Sequence, residues 1–172
     1  MPADTSFGTA LARLFRLNDW GWDRHANPWS VWTRVATLPL IILAFWSRAW
    51  LGWHALIPIF LVLIWTVINP VLFPPPRTTR SWASRAVLGE RVWLNRKSIP
   101  IPPHHARAAN ILVAVSLCGT VILIIALVRL DPAWALLGAS IAILGKLWFV
   151  DRMVWLYQDM RDATPQYQSW DR

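Results

Sequence analysis

The stretch "VATLPLIILAFWSRAWLGWHALIPIFLVLIWTVINPVL", residues 35–72, carries one formal charge, Arg48, in its whole length. Divided near that arginine, it supplies two apolar runs, about 29–49 and 50–73. Two more follow at about 107–129 and 133–157. Each is close to the roughly 20 residues that a helix needs to cross about 30 Å of hydrocarbon. The pattern predicts an all-α, polytopic membrane protein with four transmembrane helices in one domain. Between Arg34 and Arg48 only 13 residues lie uncharged, which is short for a span. Arg34 is therefore expected to snorkel towards the headgroups; a re-entrant first helix is the alternative. Pro39 and Pro58 fall inside the first two runs and predict kinks there.

Charge gives the orientation. Of 17 Lys and Arg residues, only Arg48 and Arg129 lie in the short connections between spans 1 and 2 and spans 3 and 4. The others sit in the N-terminal region through Arg34, the 74–107 loop, and the stretch from Lys146 onward. The positive-inside rule places those regions, and both termini, on the cytoplasmic side of an inner membrane. A basic rim facing anionic lipid accounts for the net charge of +8, so no nucleic-acid partner is expected. Many of the 14 tryptophans mark two interfaces: Trp29 and Trp32 at one, Trp46, Trp50, Trp53 and Trp134 at the other. Residues 1–20 do not read as a secretory signal, because Arg13 and Arg16 interrupt the apolar region. Instead, residues 6–17 predict a short amphipathic helix lying on the membrane surface. Cys118, the single cysteine, reads as packing within the third span.

The 74–106 loop holds the candidate chemistry. "PPPRTTR" and "SIPIPPHHAR" are two proline-stiffened arms. Between them a helix over 81–94 is expected, capped by Ser81, with Trp82, Ala83, Ala86, Val87, Trp93 and Leu94 on one apolar arc. Glu90 falls in the middle of that arc. A carboxylate there needs a partner, since an unpaired buried charge costs several kcal/mol. Lys146, Arg152, His25, His104 and His105 are the candidates. His104 and His105 diverge by about 100° on the first turn of the third span, so only one can face the bundle. Lys146 either snorkels or pairs with Glu90 or Asp151. The fourth helix starts at "DPAW", with Asp131 as cap. Near its end Phe149, Met153, Leu156 and Met160 face away from Asp151, Gln158, Asp159 and Asp162, so the apolar side packs on something, and the 74–107 loop is the nearest candidate.

Ligand types at Glu90, His25, His104 and Asp151 suit zinc, iron or manganese, but no HxxxH or ExxH spacing supports a metal, and the cofactor stays open. No phosphate-binding loop, dinucleotide fingerprint, GxSxG or CxxC is present. Taken together, "HANPWSVWTR", "NPVLFPPP", "SWASRAVLGERVWLNR", "IPIPPHH" and "LGKLWFVDRMVWLY" resemble the prokaryotic membrane proteins grouped as domain of unknown function 6653. The resemblance implies a small multi-pass membrane protein and no particular activity.

Two functions follow from the residues. One is a membrane component that binds lipid, a small ligand or a partner subunit, with a possible homo-oligomer. An exposed small-residue face of the fourth span (Gly138, Ala139, Ala142, Gly145) would serve such contacts. The other is an enzyme acting on a lipid-like substrate at the cytoplasmic interface. Glu90, His25 and His104 would then be catalytic, and Arg91, Lys146, Asp151, Arg152 and His105 would hold the headgroup or a partner.

Overall fold

A computed structural model describes residues 19–172, which are helical or irregular with no strand among them. The helices are α1 (Asp19–His25), α2 (Pro28–Trp46), α3 (Arg48–Leu51), α4 (Leu56–Leu72), α5 (Trp82–Leu94), α6 (Pro103–Arg129), α7 (Pro132–Met160) and α8 (Pro165–Gln168). Single 3₁₀ turns sit at Gly52–Ala55 and Arg161–Ala163. The amphipathic helix expected over 6–17 lies outside the described residues.

Three segments are long and apolar enough to cross a membrane: Pro28–Leu72, Pro103–Arg129 and Pro132–Ala163. The first has 45 residues, which as straight helix would reach about 68 Å, over twice a bilayer core. It does not run straight. The chain breaks between Ser47 and Ala55, where Gly52 takes φ +53°, a left-handed value that glycine adopts without a Cβ clash. Beyond the break α4 folds back along α2. The Asn69 amide donates to Thr33 Oγ1 at 2.8 Å and the Trp65 indole donates to Thr37 Oγ1 at 3.0 Å. The start of one arm thus lies beside the end of the other.

Local chemistry explains the boundaries. Asn27 caps α2, its side chain accepting from Trp29 N, and Pro28 occupies the first turn, where a missing N–H costs no bond. Pro58 is in the first turn of α4 for the same reason, so the kink expected there is not needed. The α4 helix begins later than the expected residue 50 because α3 and the 3₁₀ turn consume the intervening residues. Between α6 and α7, Leu130 in the αL conformation ends one helix and Asp131 caps the next, accepting from Ala133 N and Trp134 N.

The α6–α7 hairpin is packed backbone to backbone. A Cβ on Gly119 would overlap the Ala142 backbone, and one on Gly145 would come to 3.0 Å from Ser116 N. Gly138 and Gly145 are buried against α6. The small-residue face expected to be free for partners is consumed inside the chain. Cys118, in contrast, faces outward and does not pack the interior.

Helix α5 joins the two hairpins. Gly89 lies so close to Met153 that any Cβ would overlap the Met153 carbonyl. Leu88 and Val92 pack with Phe149, Met153, Leu156, Tyr157 and Met160 of α7. The other side of α5, through Ala83 and Val87, packs with Trp22, Ala26 and Val31, and Ser84 Oγ donates to Ala26 O at 2.8 Å. Instead of one apolar arc, α5 buries nearly its whole circumference. At the far end, Arg48 donates to the carbonyls of Leu127 and Val128, each at 2.6 Å. That fixes a cation on the C-terminal end of α6.

Candidate functional site

The polar residues of α2 recur at Ser30, Thr33 and Thr37, one helical face. Opposite them α4 supplies Asn69. Ser30 and Asn69 are fully buried, and a chain of donors satisfies them. Ser30 Oγ donates to Asn69 Oδ1 at 2.9 Å, Asn69 Nδ2 to Thr33 Oγ1, and Thr33 Oγ1 to Trp29 O at 2.7 Å. Arg34 stands at the open end of this chain. Its Nη1 donates to His25 Nδ1 at 2.8 Å and to Ser30 Oγ at 3.0 Å, and its Nη2 to His25 O at 3.3 Å. Arg34 is thus half-buried, its guanidinium held by Ser30 and by the half-buried His25.

The contact fixes the state of His25. Guanidinium nitrogens only donate, so His25 Nδ1 must accept, and the ring is neutral with its proton on Nε2. Burial, then the adjacent Arg34 charge, push the His25 pKa down to about 3. Both nitrogens are thereby committed. Neither offers the free lone pair that a general base requires.

Glu90 meets Lys146, Nζ to Oε1 at 2.8 Å, with the carboxylate side chain 21% and the lysine 48% exposed. Burial alone would raise the Glu90 pKa, but the Lys146 ammonium, with Arg34 beyond it, holds it below the ordinary range. Lys146 also lies 4.8 Å from the Phe149 ring centroid. His25, Arg34, Glu90 and Lys146 are near enough to act on one another electrostatically. They form one cluster at the junction of α1, α2, α5 and α7.

The remaining sequence candidates lie elsewhere. Asp151 accepts from Trp82 Nε1 at 2.8 Å. Arg152 lies against the Trp155 ring, 5.2 Å from its centroid, with its Nε buried and unpartnered. Arg91 turns to the C-terminal strap, 4.1 Å over the Trp170 ring. His105 is the histidine that faces inward, its Nε2 2.8 Å from Asp159 Oδ2, while His104 is exposed beside it. Lys146 and Asp159 are 13 residues apart on α7, about 20 Å along the axis. The structure therefore does not bring His104 to Glu90 and His25.

Two features were missed in the sequence. The Ser30–Thr33–Thr37 stripe was visible as helical spacing, but its partner Asn69 is remote in the chain. The strap after α7 had its own signal, Thr164–Pro165. The Thr164 side chain accepts from Tyr167 N in the usual manner of a cap before proline. Tyr167 is fully buried, receiving Asn95 Nδ2 on its hydroxyl at 2.9 Å. Thr79 Oγ1 donates to Trp170 O at 2.8 Å and accepts from Arg172 N at 3.0 Å, which ties the strap to the 74–81 arm.

A family model for a family of unknown function, DUF6653, matches residues 6–171. The chain belongs to that family. No curated protein and no solved structure matches it. Membership thus extends over α1 to α8 and includes the junction cluster, and it brings no activity with it.

Proposed function

We propose that the chain is an inner-membrane component that crosses the bilayer four times and binds an anionic lipid headgroup at the junction cluster. The observation that carries this reading is Arg34, whose hydrogen-bond partners among the described residues are all neutral. With His25 neutral and Glu90 paired to Lys146, the cluster retains one positive charge. Such a charge at the edge of the hydrocarbon favours a phosphate, which arginine recognises through its planar donors.

Four crossings are supported by the two antiparallel hairpins and by their outward surface. Phe60, Leu61, Ile64 and Val67 of α4 and Leu117, Val121 and Ile124 of α6 are exposed, apolar side chains that suit contact with acyl chains. Cytoplasmic placement of both termini rests on the arginine distribution. A homo-oligomer or a partner subunit could cover part of the same apolar surface, but no described contact favours it over lipid. The enzyme reading has weaker support, because His25 lacks a free lone pair and His104 belongs to another cluster.

The test is thermal unfolding of detergent-purified protein with added lipid. Phosphatidylglycerol is expected to raise the midpoint by several degrees and phosphatidylcholine to leave it nearly unchanged, with most of the rise lost in Arg34→Gln. Equal shifts from the two lipids, or an undiminished shift in Arg34→Gln, would refute headgroup binding at the cluster.

A further inference from the structure

At the other end of the cap the first turn of α6 lies against the last turn of α7. There His104, His105 and Asp159 offer one donor atom each, all within 4.8 Å of one another. The two imidazole rings are 4.2 Å apart between centroids. We propose that these three residues bind a divalent first-row transition-metal ion, a role separate from the lipid site at Glu90 and Arg34.

The donor chemistry comes first. Two imidazoles and one carboxylate suit zinc, cobalt, nickel or iron(II), and suit magnesium or calcium poorly. The geometry is close to what an ion needs. Neighbouring ligands about 2.0–2.1 Å from a tetrahedral zinc are themselves about 3.3–3.4 Å apart. His105 Nε2 and Asp159 Oδ2 stand at hydrogen-bond distance, 2.8 Å apart, so that edge opens by about half an ångström, a small turn of the exposed Asp159 side chain. The remaining closure falls to His104 and Asp159, both exposed, whose side chains can turn without disturbing the core.

A second observation concerns the other nitrogen of His105. The residue is 2% exposed, and its Nδ1 is buried with no hydrogen-bond partner. A buried polar atom left in that state costs about 1–3 kcal/mol. The Asp159 carboxylate accepts from Nε2 and holds the ring as the Nε2–H tautomer while no metal is bound. For the metal to bind Nε2 the ring proton shifts from Nε2 to Nδ1, where no existing hydrogen bond is lost in the exchange. Packing around His105 holds one ligand rigid, while the two exposed ligands close on the ion and leave its outer side open to water.

The experiment uses untagged, full-length protein in detergent, stripped with chelator and titrated calorimetrically with zinc chloride, with magnesium chloride as control. The expected result is one zinc ion per chain in the micromolar range or tighter, no response to magnesium, and a rise in the thermal midpoint with zinc. His104→Ala and Asp159→Asn are each expected to weaken binding at least about tenfold and to abolish most of the thermal shift. Both positions are exposed, so the test does not depend on whether His105→Ala folds. Zinc binding no tighter than about 1 mM, or affinity unchanged in either exposed-site variant, would overturn the three-ligand site. Arg34→Gln is expected to leave zinc affinity unaltered, which keeps this result independent of the lipid reading.

Discussion

At the scale of single residues, the neutral state of His25 has a measurable consequence. Its pKa is about 3 in the folded chain against an ordinary 6.5, so below pH 6.5 the unfolded chain binds a proton that the folded chain refuses. Stability is then lost as pH falls from about 6.5 towards 3, by up to about 1.4 kcal/mol per pH unit. Glu90 acts in the same sense but lower down, since its depressed pKa gives stability that disappears only through the carboxylate range. The two are separable with His25→Asn, whose side-chain oxygen can accept from Arg34 but cannot be protonated. Denaturant unfolding at pH 7 and pH 5 is expected to show a loss of about 1–2 kcal/mol in the parent chain and a clearly smaller loss in His25→Asn. Equal losses would show that the folded chain does not hold the His25 ring neutral. The sequence put His25 beside the Asn27 cap but could not show this, because snorkelling and inward pairing of Arg34 look alike until buried acceptors are known. One of those, Ser30, is itself oriented by Asn69, 39 residues further along.

Among the elements, α5 bears most directly on how the two hairpins hold together. Its cap at Ser81 and its extent were legible, since Trp82–Leu94 differs little from the expected 81–94. The apolar residues Phe149, Met153, Leu156 and Met160 of α7 were also identified as a packing face, and α5 covers them. What periodicity could not show is that α5 is enclosed from two sides, which needs the position of the α2–α4 hairpin. The closest approach is at Gly89, where the obstacle is the Met153 backbone and not a side chain that could rotate away. Gly89→Ala must therefore push α5 off α7. The expected cost is about 2–4 kcal/mol, in the range of severe overpacking. Limited proteolysis would report it as faster cleavage in the 74–102 region, while the α6–α7 hairpin stays protected. Proteolysis at the parent rate in Gly89→Ala would mean that the α5–α7 contact is looser than the backbone distances require.

For the whole molecule, the question left by the sequence was whether the first 45-residue apolar segment crosses twice. The break at Ser47–Ala55 and the Asn69–Thr33 and Trp65–Thr37 bonds define a hairpin. Arg48 sets its tip beside the α6–α7 turn, through the carbonyls of Leu127 and Val128. Two hairpins whose tips are tied together and whose open ends share α5 should have both tips on one face of the membrane. Cys118 is the only cysteine, so a Cys118→Ser background allows single-cysteine mapping. Trp53→Cys and Ala133→Cys, at exposed positions of the two tips, are expected to react with a membrane-impermeant maleimide added to intact cells. Lys97→Cys and Gln168→Cys, on the cap, should react only after the membrane is opened. If Ala133→Cys labels from outside but Trp53→Cys does not, the first hairpin is re-entrant, and its 19- and 17-residue arms stop short of the far surface. If all four label from one side, the charge argument for orientation fails along with the crossing count. The paired result would instead place Arg34, Glu90 and Lys146 at the cytoplasmic edge of the hydrocarbon, the depth at which a single uncompensated positive charge can meet a lipid phosphate.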